Sequence, residues 1–255
     1  MQRGKRPVYE KPEEFFALTF PTYNLRRLVR DVVLRLAGKN DKAVRQLELT
    51  YGGGKTHTLI ALRHLVHDPD KLPGLPAVAE FIQAIGERPP KCRVAALCFD
   101  KLDVEKGMEV LSPKGKSRTL RHAWSVLAYQ LAGEEGLKLL HAEGKAEERD
   151  TAPAENLLAE LLEIPAKEGL GVLILIDEVL MYAREKAAQN PEWRARLANF
   201  FQFFTPESRK DREAFRQHVV AALKGIQAVD EQVAKQGAEA EERFLKSYPF
   251  HPDLT

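Results

Sequence analysis

The sequence predicts an α/β fold in which a parallel sheet is flanked by helices, with a helical C-terminal part. Three observations point there. The run Val172-Leu173-Ile174-Leu175-Ile176 shows no polar alternation, which suits a central strand of a parallel sheet, covered on both faces. A second apolar run bounded by charges, Val94 to Phe99, has the same character. Finally, a short strand-like run, Gln46 to Thr50, leads straight into Gly52-Gly53-Gly54. A helical stripe of Leu59, Ile60, Leu62, Leu65 and Val66 follows, so strand, glycine turn and helix come in succession.

Size and composition permit such a fold. The chain has 255 residues, 44% of them hydrophobic, enough to bury a substantial core. The net charge of +2 is nearly neutral, but residues 1–45 hold eleven Lys/Arg against five Asp/Glu. That local excess has a plain reading as a solvated helix face and a sharper one as a contact for nucleic acid or another acidic partner. No run reaches the about 20 apolar residues of a membrane span, and Met1 to Glu10 is too polar for a signal peptide. Cys92 and Cys98 lack a second ligand pair nearby, which argues against a disulfide framework or a zinc site. A reduced, cytoplasmic protein without membrane contact is the expectation.

Three regions follow: an N-terminal arm with a basic amphipathic helix over 1–45, a core over 46–204 and a helical segment over 205–255. Residues 1–24 carry prolines and aromatics suited to wrapping over a surface. Leu25, Leu28, Val29, Val32, Val33 and Leu36 then form a helical stripe that Gly38 stops. Beyond the glycine turn and its helix, Pro69 to Pro76 reads as a loop and Val78 to Ile85 as a short helix. Asp103 to Ser117 reads as a glycine- and lysine-bearing loop. Leu120, Ala123, Trp124, Leu127 and Leu131 mark a helix, and Ala154 to Leu162 another. Trp193, Leu197, Phe200, Phe201 and Phe204 make a further stripe, and the chain from Asp211 onward reads helical.

The segment Tyr51-Gly52-Gly53-Gly54-Lys55-Thr56 has the Gly-Lys-Thr end of a phosphate loop, and the expected core is therefore that of a P-loop NTPase. Glycines let several backbone N–H groups face one anion, and the helix N-terminus adds its dipole. Lys55 would reach the β- and γ-phosphates of ATP, and the Thr56 hydroxyl would take a Mg²⁺ position. Counting back from Gly54, the leading glycine of the usual pattern falls on Leu49, so the loop is a variant at its opening.

Asp177-Glu178 closes the most apolar strand. A strand ending on the same edge as the phosphate loop would bring Asp177 to the metal. Glu178 could then orient and deprotonate the attacking water. No Asn-Lys-x-Asp guanine-reading motif is present. Weaker candidates surround these. His57 either packs on the first helical turn or lies near nucleotide, and Asp100 ends the Val94–Phe99 strand on the expected active edge. Arg184 and Arg194 fit finger arginines as well as any exposed Arg. His64 and His67 read as surface residues, and Phe200, Phe201 and Phe204 as core or interface.

The blocks LTYGGGKTHTLIALRHL, RTLRHAWSVLAYQLAGEEG, VLILIDEVLMYAREK and SYPFHPDL occur in that order. Over about residues 14–255 the chain resembles a poorly characterised family of large prokaryotic P-loop ATPases related to the AAA+ class. Members are often encoded beside DNA methyltransferases in anti-phage defence islands. The resemblance implies nucleotide contacts at Gly52, Gly53, Gly54, Lys55, Thr56 and His57, and a metal and water site at Asp177 and Glu178. Such ATPases carry a polar sensor residue on a strand after the Asp-Glu strand, yet no apolar β run lies between Ile176 and the C-terminus. That predicts a segment left out near 204–211. The stop after SYPFHPDL, where family members continue, predicts a fragment.

The expected function is an AAA+-like ATPase that hydrolyses ATP to drive a conformational change in a complex. Its expected partners are DNA or a DNA-modifying protein, with a homo-oligomer closing the site. The alternative is a nucleotide-binding switch or assembly module without efficient turnover. A small-molecule kinase fits less well, because a water-activating acid beside the metal acid would waste ATP.

Overall fold

The computed structural model describes residues 7–41, 43–45, 54–103, 105–141, 143–179, 196–197 and 200. The chain divides into two compact units, Met1–Asp177 and Glu178–Thr255. In the first unit, α1 (Pro7–Glu10), α2 (Pro12–Ala17), α3 (Tyr23–Leu36), α4 (Lys55–His67) and α5 (Pro76–Ile85) precede β1 (Cys92–Cys98). A hairpin of β2 (Met108–Leu111) and β3 (Ser117–Leu120) comes next. After it come α6 (Ala123–Ala132), α7 (Glu134–Leu140), α8 (Glu155–Lys167) and β4 (Gly171–Asp177).

Local chemistry sets the helix ends. The Thr22 hydroxyl accepts from the Leu25 N–H at 3.3 Å and caps α3. Pro12 and Pro76 open α2 and α5, where a missing N–H costs nothing. Gly86 ends α5 in the left-handed conformation and donates its N–H to the Ile82 carbonyl at 2.9 Å.

β1 and β4 pair in parallel, with Val94 opposite Leu173, Ala96 opposite Leu175 and Cys98 opposite Asp177. Val94, Ala96, Leu173 and Leu175 belong to one apolar cluster with Phe15, Phe16, Val29, Val33, Leu62, Leu65 and Phe81 from the N-terminal helices. Ala95 and Leu97 are buried on the opposite face, where α6 packs on β1 and α8 on β4. Among the described residues the sheet has two strands, and the fold is mixed α/β with a small parallel sheet and a separate antiparallel hairpin. On the side of β1 away from β4, the Gln130 amide accepts from the Ala96 N–H at 2.6 Å and donates to the Ala96 carbonyl at 2.9 Å.

Several expectations need correction. Residues 103–117, read as a loop, contain β2 and the turn that leads into β3. The hairpin's Val110 and Leu120 point inward and are buried, while Glu109, Leu111, Ser117 and Thr119 are exposed. With strands of four residues each and one polar face, the pattern is too short to stand out from a loop. The N-terminal residues form two short helices whose Phe15 and Phe16 are fully buried.

Within the basic arm, Arg26 pairs with Glu80 and Lys39 with Glu87, while Arg27 and Arg30 are exposed. Both cysteines are free. They stand at opposite ends of a seven-residue strand, about 20 Å apart at the usual rise and beyond disulfide reach. No helix among the described residues is long and apolar enough to cross a membrane. The expected strand Gln46–Thr50, the run 204–211 and the C-terminal helices lie outside the described residues, apart from Leu197 and Phe200, which are buried.

Candidate functional site

The C-terminal ends of β1 and β4 open on the same edge, and the N-terminus of α4 meets them there. The Phe99 N–H donates to the Asp177 carbonyl at 3.1 Å, which holds the two strand ends in register. Gly54 precedes α4 with φ 81°, a left-handed conformation that side-chain-bearing residues resist. Its carbonyl receives both the backbone N–H and the hydroxyl of Thr58, each at 2.9 Å, closing the first turn.

That turn points Thr56 across the edge, where its hydroxyl donates to the Asp177 carboxylate at 2.8 Å. The contact joins residues 121 positions apart, at the positions that sequence reasoning pairs through a metal. Thr56 is exposed and Asp177 half-buried. Lys55 starts α4 and is half-buried. Glu178, the next residue after Asp177, has φ 56° and is the sole non-glycine residue with positive φ among those described. Tyr51, Gly52 and Gly53 lie outside the described residues, as do Arg184 and Arg194. Asp100 is exposed and accepts from the Cys98 thiol at 2.9 Å. Burial first, and then this carboxylate, push the Cys98 thiol up to about 12, so it stays protonated and unreactive at neutral pH.

His57 packs against the N-terminal segment. Its ring stacks on Phe15 with centroids 4.5 Å apart. Its Nε2 lies 3.1 Å from the Thr19 hydroxyl. Since that hydroxyl donates its one proton to the Phe15 carbonyl at 2.7 Å, His57 Nε2–H is the donor to it. Burial lowers the pKa of His57, consistent with a neutral ring that orders the first turn of α4.

His64, expected at the surface, is buried. Its Nε2–H donates to the Tyr9 carbonyl at 3.1 Å, and its ring leans on Phe15 with centroids 5.3 Å apart. Burial, followed by the neighbouring Arg63, lowers its pKa to about 4, while the Tyr9 carbonyl and Glu13 oppose that shift. Sequence reasoning missed this cluster because α2 is short. Its one signal is Phe15, Phe16 and Thr19 falling on one helical face just after Pro12.

A pH dependence follows. The folded protein binds the His64 proton more weakly than the unfolded chain, where the ordinary value is about 6.5. Stability from this group is therefore complete above about pH 6.5 and declines as pH falls towards about 4. Urea unfolding at pH 7.5 and pH 5 should show the wild type losing more stability on acidification than His64→Gln, which can still donate to Tyr9. Equal losses would contradict this assignment.

These elements define a mixed α/β protein in which one helix N-terminus and two parallel strand ends bring a hydroxyl and a carboxylate together. The chain belongs to the family described as the DUF499 N-terminal domain, a domain of unknown function, whose model matches residues 1–214. No curated protein and no solved structure matches it significantly.

Proposed function

We propose that this chain is a P-loop ATPase of AAA+-like type, which binds ATP and hydrolyses it to drive a conformational change in a complex. The observation that carries the reading is the 2.8 Å bond between Thr56 at the start of α4 and Asp177 at the end of β4. A helix N-terminus preceded by a left-handed glycine is suited to an anion. It faces the carboxyl ends of parallel strands, where open α/β sheets bind their ligands.

Lys55 and the glycine backbone would hold the phosphates. The donor set of one hydroxyl and one carboxylate suits Mg²⁺, a hard cation usually held by one or two carboxylates, substrate phosphates and water. Bound there by Thr56 and Asp177, Mg²⁺ would neutralise charge on the phosphates. Glu178 would accept a proton from water as the water oxygen bonds to the γ-phosphorus and the bond to the leaving ADP oxygen breaks. DNA or a DNA-modifying protein as partner, and a second copy completing the site, extend the proposal; the exposed Arg27 and Arg30 are its local support.

The test is nucleotide binding by the full chain with Mg²⁺, compared with Lys55→Ala. Losing a charge-assisted phosphate contact should weaken ATP by at least about tenfold. A Lys55→Ala protein that holds ATP as tightly as wild type would remove the phosphate-loop assignment.

A further inference from the structure

Three of the five exposed large hydrophobic side chains among the described residues fall within six positions: Leu18 at 72%, Phe20 at 81% and Tyr23 at 70% exposure. They sit on a pinned turn. Thr19 is buried and bonded to His57, and Pro21 is buried. The Thr22 N–H donates to the Phe20 carbonyl at 2.9 Å, and Tyr23 opens α3 under the Thr22 cap. Two aromatic rings are thus held in water between fixed anchors, where apolar surface gains from being covered.

The anchor ties this turn to α4. His57, which holds Thr19, directly follows Thr56, so Phe20 lies one residue from a contact with the first turn of α4. A nucleotide held by its phosphates at that helix N-terminus would have this turn as a near neighbour. We propose that Phe20 and Tyr23 form the stacking surface for the base of the nucleotide whose phosphates α4 receives. The proposal rests on the phosphate reading above and adds the base site to it. Stacking on an aromatic ring suits a nucleobase because every base presents a π-face. Neither ring is needed for the core, since both stand largely in solvent.

The experiment is calorimetric titration of the full chain with ATP and with inorganic tripolyphosphate, both in MgCl₂. Wild type, Phe20→Ala/Tyr23→Ala and Lys55→Ala are compared. The aromatic double variant should bind ATP about tenfold or more weakly and tripolyphosphate as tightly as wild type. Unchanged ATP affinity would overturn the proposal, as would equal weakening of both ligands, which would mean the turn acts on the phosphate loop. Tripolyphosphate bound equally by Lys55→Ala and wild type would remove the phosphate reading, and the base site with it.

Discussion

Glu178→Gln is expected to bind ATP with near wild-type affinity and to turn it over about 10² to 10⁴-fold more slowly, the range for loss of a general base. The substitution keeps size and hydrogen bonding but cannot take a proton from water. The backbone supplies an independent reason to look at this residue. A glutamate at φ 56° occupies a conformation that costs about 1–3 kcal/mol and persists only where the surrounding structure holds it, most often at functional sites. Glu178→Gly should relieve that strain, leaving stability unchanged or raised while hydrolysis falls as in the glutamine variant. Steady-state phosphate release with thermal unfolding of both variants checks this. Unchanged hydrolysis in Glu178→Gln would remove its role as base, and a wild type that binds without turnover would favour the switch reading.

Phe15→Ala is expected to cost about 3–5 kcal/mol, the range for truncating a buried aromatic. That lowers the unfolding midpoint by about 10 °C in a chain of this size. Phe15 is 1% exposed and touches His57, His64 and Phe16 at once. Its loss opens a cavity between α2 and α4 and removes the stacking partner of His57. ATP affinity should fall with stability, because the turn carrying Thr56 loses its support. Leu18→Ala, three residues on but exposed, should stay within about 0.5 kcal/mol of wild type. Matching effects from the two variants, seen by thermal or urea unfolding, would contradict the packing described for α2.

Much of the scaffold was legible because its signals are local. The unbroken apolar run of β4, the 3.6-residue stripe of α3 and the Gly54-Lys55-Thr56 opening of α4 each announce an element within one window of sequence. The Thr56–Asp177 pair was legible too, since a strand ending in acids and a glycine loop opening a helix converge on one sheet edge. The burial of His64 was not, for it depends on α1 and α2 folding back over α4, with Tyr9 of α1 bonded to a residue 55 positions away. The hairpin escaped because each strand offers only two inward residues. The paired roles of Thr19 and Phe15 escaped because nothing about a threonine or phenylalanine in isolation names its partner.

The amide of Gln130 has a consequence for the protein's life among other chains. By occupying both hydrogen-bonding groups of Ala96, it leaves no template there on which a foreign strand could add. A helix side chain thereby does the work of a neighbouring strand, and it cannot propagate. At Ala96 the edge of β1 is thus capped by a single glutamine, and a strand adding there would first have to displace it.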